Sequence, residues 1–103
     1  MKIAIASTGT EADAHVSKHG ARAPFYLMYD EDGNFLEFIT NPYANIDRGA
    51  GPKAAHFLAQ QDVKLLVACD FGERFTTELE SCGIQQVQKT GIVSNVITGV
   101  VAK

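Results

Sequence analysis

Two cysteines, Cys69 and Cys82, and three histidines, His15, His19 and His56, are the soft ligands of this 103-residue chain. Thiolate and imidazole bind transition metals and metal–sulfur species, so these five side chains are the first candidates for chemistry. Their spacing matches no paired Cys-x-x-Cys zinc motif. A second feature is Gly49-Ala50-Gly51-Pro52. Glycines let backbone amides approach a ligand, and a helix starting there would favour an anion. A loop that merely needs glycine reads the same way, and the Gly-x-x-x-x-Gly-Lys-Ser/Thr phosphate loop is absent. Arg22, Arg48 and Lys53 lie near this turn as partners for an anion or as ordinary surface charge.

Other chemistries lack their residues. Ser7 and Ser17 have histidines nearby in sequence, but nothing places a base or an oxyanion hole. A two-metal nuclease needs clustered carboxylates. Lys2–Ser7 contains no acid, and Asp70 stands alone after the apolar run that precedes it. The net charge of −3 argues against a broad basic face for nucleic acid. No segment approaches the roughly 20 apolar residues of a membrane span. Met1–Ala6 reads as a strand rather than a signal peptide, and two cysteines are not a disulfide scaffold. The expectation is one cytoplasmic, reduced domain over 1–103.

The elements that must position these residues follow from pattern. Residues 2–7 are β-leaning and apolar, as a buried strand is. Residues 8–24 have no clean period and read as a long loop. Phe25–Asp30 and Phe35–Thr40 are strands joined by Glu31-Asp32-Gly33-Asn34, because Asp-Gly supplies the positive φ of a hairpin. A second long loop reaches Gly51. A helix then starts at Pro52, whose missing N–H costs nothing at the first helical position. Ala54, Ala55, Phe57, Leu58 and Gln61 give it an apolar stripe. Residues 64–68 read as a buried parallel strand, and 73–82 as a helix with Phe75, Leu79 and Cys82 at i, i+4 and i+7. Gly83 is its left-handed cap, and 84–88 is the last strand. Residues 92–101 have helical spacing but β-branched composition; spacing favours a helix.

The order βββαβαβα predicts an α/β fold, a mixed sheet with helices on its faces. With the second strand antiparallel, residues 8–24, 41–51, 69–72 and 89–91 share one end of the sheet. Ligands of open α/β sheets bind beyond the carboxyl ends of the parallel strands, which is that end. Cys69 and all three histidines fall there. Cys69 reads either as a small apolar filler or as a soft metal ligand. Cys82 ends the following helix, roughly 15 Å away along its axis, too far for a disulfide. On the apolar stripe it reads as a buried, inert thiol.

Several blocks resemble the dinitrogenase iron–molybdenum cofactor biosynthesis family, which includes nitrogenase cofactor carriers and orange-protein-like small proteins. The start Met1-Lys2-Ile3-Ala4-Ile5-Ala6 is similar to the family's. Asp13, Val16-Ser17 and His19 leading to Arg22-Ala23-Pro24-Phe25 resemble its Val-Ser-x-His-Phe-Gly-Arg-Ala block, with Gly20-Ala21 standing where Phe-Gly is common. Asn41-Pro42, Gly49-Ala50-Gly51, Ala54-Ala55, Gly83-Ile84 and Thr90-Gly91 follow in register, so the match spans essentially the whole chain. The resemblance implies a three-layer α/β/α fold of ribonuclease H-like topology, with a five-stranded sheet in order 3-2-1-4-5 and strand 2 antiparallel.

It also implies a non-enzymatic carrier or scaffold for an anionic metal cluster: iron–sulfur, iron–molybdenum or molybdenum–copper. By position, His19 and Arg22 match the family's His and Arg, and Gly49 and Gly51 match its glycine turn. The resulting expectation is a cluster held by Cys69, with His19 and His15 or His56 as imidazole ligands. Arg22 and the amides near Gly51 would offset its negative charge. Partners would be the cluster and cofactor donor or acceptor proteins, and the chain a monomer or weak homodimer. The rival expectation is a metal-free interaction or regulatory module of the same fold.

Overall fold

The computed structural model describes residues 2–101. Met1, with which the family-like start opens, lies outside the described residues. The elements run β1 (Lys2–Ser7), β2 (Phe25–Asp30), β3 (Phe35–Thr40), α1 (Ala50–Gln60), β4 (Val63–Ala68), α2 (Glu73–Ser81), β5 (Gln85–Gln88) and α3 (Val93–Val101). The five strands form one sheet in the order β3-β2-β1-β4-β5. β2 is antiparallel to β1 and β3, while β4 is parallel to β1 and β5. This is the expected α/β topology. α3 is a helix, so spacing prevailed over β-branched composition.

Each element has a local cause. β1 is central and buried from Ile3 to Ser7, which is why its sequence is a continuous apolar run rather than an alternation. The β2–β3 hairpin turns at Gly33 with φ 88°, and Asp30 Oδ1 accepts the N–H groups of Asp32 and Asn34. α2 ends in a Schellman motif. The Gly83 N–H donates to Glu80 O, and the Ile84 N–H donates to Leu79 O. Ile84 therefore belongs to the cap, and β5 starts one residue later than the pattern predicts.

α1 also departs from expectation. It begins at Ala50 behind Gly49, so Pro52 is its third residue rather than its first. The first-turn N–H groups have no intrahelical acceptor, so proline is tolerated throughout that turn.

Two apolar layers flank the sheet. Ala54, Ala55 and Leu58 of α1 and Phe75 and Leu79 of α2 pack on Ala4, Ala6, Tyr26, Met28, Leu66 and Ala68. Val93, Val96 and Ile97 of α3 cover Ile3, Ile5, Leu27, Tyr29 and Val67 on the opposite face. That cover does not reach the edge strand β3, where Phe35, Leu36 and Phe38 are exposed. Among the described residues no helix is long and apolar enough to cross a membrane.

Candidate functional site

An open depression of about 540 Å³ lies at the carboxyl end of the parallel strands, on the α1/α2 side of the sheet. Three chain segments line it: His19–Arg22, Asp47–Pro52 and Asp70–Phe75. Two of these are helix starts. α1 is capped by Gly49 at φ 76° and α2 by Gly72 at φ 74°, and neither has a side-chain cap. Their first-turn N–H groups are thus left for a ligand or water, and the two helix dipoles favour the same negative charge.

Glycine sets how closely the starts approach. A Cβ on Gly51 would lie 3.2 Å from Phe75 N and 3.3 Å from Phe75 Cα. Only a residue without a side chain lets α1 press this tightly on the α2 backbone.

The first loop is held by backbone pairing rather than by an anchoring aromatic. Ser17 N–H donates to Ala6 O, Cys69 N–H to Ser17 O, and Gly20 N–H to Asp70 O. Gly20 is buried, and a Cβ there would meet the Phe75 ring at 2.8 Å. Phe75 occupies the space beside residue 20, so glycine is required where the family block commonly carries phenylalanine. Tyr26 completes the anchor from below, its hydroxyl donating to Gly20 O at 2.6 Å.

Arg22 and Asn41 fix the second loop onto the first. Arg22 Nη1 donates to Ile46 O at 2.6 Å and Ala44 O at 3.4 Å, and Nη2 to Asp47 O. Asn41 is buried, donates to Ala21 O and Ala23 O, and accepts the Tyr43 N–H. Arg22 therefore lines the depression while spending much of its guanidinium on shaping the wall.

The expected ligands do not all meet. His19, Arg22, Gly49 and Gly51 line the depression, with Arg48. Cys69 is half-buried in the α3-side cluster, its Sγ donating to Val16 O at 3.6 Å. Successive strand residues point to opposite faces. Ala68 joins the α1/α2 cluster, so Cys69 at the strand end turns to the other layer. His15 is exposed and bridges to Ile92, again on the α3 side. His56 is on the outer surface of α1, beside Glu78 and Cys82 of α2.

Of Cys69, His19 and the alternatives His15 and His56, the depression is lined by His19, and the other three share its end of the sheet on other surfaces. Among the described residues no three His, Cys, Asp or Glu side chains converge as a metal site. Cys82 is also corrected, from buried to half-exposed, and both thiols are free.

Arg74 lines the depression and was missed, as was the mixed charge that Asp47, Asp70 and Glu73 bring there. The signal was present: Arg74 directly precedes Phe75, the first residue of the apolar stripe, at a helix start. Lys53 does not line it.

The family model described as "Dinitrogenase iron-molybdenum cofactor" matches residues 1–103. The chain belongs to the dinitrogenase iron-molybdenum cofactor family. No curated protein matches it. Two solved structures are similar to it. The apo form of the orange protein from Desulfovibrio gigas superposes with a TM-score of 0.90 at 24% identity, covering 97% of this chain and 86% of that one. A putative NifB protein from Thermotoga has a TM-score of 0.81 at 28% identity, covering 96% of this chain and 85% of that one. The first likeness shows the fold.

Proposed function

We propose that this member of the dinitrogenase iron-molybdenum cofactor family is a small non-enzymatic carrier, a single domain over 1–103, that holds an anionic metal–sulfur cluster as cargo. The observation that carries the reading is the convergence of two helix starts without side-chain caps around one open depression, with His19, Arg48 and Arg74 beside them, where Asp47, Asp70 and Glu73 balance the guanidinium charge and leave the backbone N–H groups as the main anion donors. Backbone N–H groups and guanidinium donors stabilise sulfide-rich or oxo-rich anions without a covalent bond. His19 is exposed at the rim and available as one imidazole ligand. Neither thiol reaches the depression, so the residues present fit a cluster held by charge and hydrogen bonds rather than a thiolate-ligated one. Iron–sulfur, iron–molybdenum and molybdenum–copper clusters all meet that description. An open, shallow site suits hand-over to cytoplasmic donor and acceptor proteins.

The test is anaerobic reconstitution with iron, sulfide and molybdate, and separately with copper and tetrathiomolybdate, followed by gel filtration. The expected result is a visible chromophore that co-elutes with the protein. It persists in Cys69→Ser and Cys82→Ser, and falls at least about tenfold in a His19→Ala, Arg74→Glu double variant. A chromophore that requires Cys69 overturns the site assignment.

The rival reading, a metal-free interaction module, is favoured by one observation: the exposed Phe35, Leu36 and Phe38 on the β3 edge. A protein that stays metal-free after gentle anaerobic purification and after both reconstitutions supports that rival.

A further inference from the structure

The side chains around Cys82 form a series that the carrier reading does not use. Cys82 Sγ lies 3.9 Å from His56 Nδ1, and the opposite ring nitrogen, Nε2, lies 3.3 Å from Glu78 Oε2. Cys82 caps the C-terminus of α2, four residues after Glu78, so the two lie on one face of its last turn. His56, from α1, sits between them. With its proton on Nε2 toward the carboxylate, Nδ1 is left as an acceptor facing the thiol. Thiol, imidazole and carboxylate in series is the arrangement that activates a cysteine nucleophile.

The geometry excludes the obvious competitor. The two ring nitrogens point in different directions, so the imidazole cannot bring Cys82 and Glu78 onto one metal ion. Cys82 is partly buried against the α1/α2 layer, and it is reached from the side of His56, whose side chain is 64% exposed. Thiol–disulfide exchange needs neither an enclosed cavity nor an oxyanion hole, only an accessible thiol with a path for its proton.

We infer that Cys82 is a thiol-modification site that exchanges with small-molecule disulfides of the glutathione class. His56 is the base and Glu78 a positioning residue. The Sγ proton passes to His56 Nδ1, and Sγ attacks one sulfur of the disulfide. The S–S bond of the reagent breaks as the Cys82 mixed disulfide forms. The second sulfur leaves with the electron pair and takes the proton from the imidazolium. One disulfide is consumed, and one mixed disulfide and one free thiol are produced, so the disulfide is the only oxidant required. Cys69 offers the internal contrast: it is buried to a similar degree against the other layer, but its thiol faces the Val16 carbonyl, which cannot take its proton as an imidazole can.

The experiment treats the full chain with glutathione disulfide and locates the adduct by peptide mass spectrometry over time. Cys82 is expected to react at least about tenfold faster than Cys69, and His56→Gln to slow Cys82 by about tenfold. Glu78→Gln is expected to slow it by about threefold, and Glu78→Asp to restore it in part. Nitrogen-15 spectra of the wild type report the ring directly: His56 protonated on Nε2 is the expected tautomer, and protonation on Nδ1 overturns the proposal. It is equally overturned if Cys69 reacts first, or if Cys82 reacts at the same rate in wild type and in a folded His56→Gln.

Discussion

Tyr26 links the core to the depression through one hydroxyl. The side chain is fully buried, and burial alone pushes its ionisation well above the usual tyrosine range. Its O–H donates to the carbonyl of Gly20, a residue that lines the depression. Tyr26→Phe keeps the packing but leaves that carbonyl without its donor. The expected cost is about 1–2 kcal/mol in urea unfolding. Asp30 makes the opposite electrostatic case. It is only partly buried, and hydrogen bonds from the Asn34 backbone, the Asn34 side chain and neighbouring turn amides hold its carboxyl below the usual aspartate range. A depressed folded value means that the turn's contribution is complete above the unfolded value, near about 4. It is lost as the pH falls through the lower folded value. Carbon-13 titration of the Asp30 carboxyl is expected to show a midpoint below that of a free aspartate. A midpoint at or above it contradicts the turn geometry.

At the scale of elements, glycine decides where helices and loops touch. Gly51 sets α1 against the start of α2, and Gly20 sets the first loop against Phe75. Gly51→Val would push the two helix starts apart. The expected result is a loss of about 1–3 kcal/mol in stability, together with weaker retention of the reconstituted chromophore. Arg22 acts between loops rather than within an element, through its bonds to Ala44, Ile46 and Asp47. Arg22→Gln removes that clamp. Amides of residues 44–47 are expected to exchange hydrogen at least about tenfold faster, while those of β1 stay protected. Uniform exchange changes across β1 and the loop would refute a local role.

Across the whole molecule, the sheet is covered unequally. Leu66 lies in the layer under α1 and α2 and is fully buried, whereas Phe38 on β3 is 49% exposed. Leu66→Ala is expected to cost about 2–5 kcal/mol, and Phe38→Ala less than about 1 kcal/mol. Chemical denaturation of the two variants side by side tests that asymmetry. The same layering divides the chemistry. The depression and the Cys82–His56–Glu78 series both belong to the α1/α2 side, one at the helix starts and the other where α2 ends. Cys69 and His15 belong to the α3 side.

The sequence by itself determined the strand and helix order, the hairpin at Gly33, the Gly83 cap and the end of the sheet where the depression lies. These are local or near-local signals: alternation, helical spacing, turn chemistry and the direction of parallel strands. The chain also carried His19, Arg22, Gly49 and Gly51 of the depression in recognisable blocks. The tertiary structure alone decided which ligands face one another. Cys69 was expected beside His19, but the pleat turns it to the opposite layer from Ala68. The stripe of Cys82 with Phe75 and Leu79 does bring it against the core, but helix packing leaves it only partly buried and sets its thiol against His56, 26 residues earlier in the chain. Arg74 lines the depression because α2 starts there, beside the start of α1. Period and turn chemistry are properties of neighbouring residues, whereas side-chain convergence depends on face, register and interhelix approach, which exist only once the layers have packed.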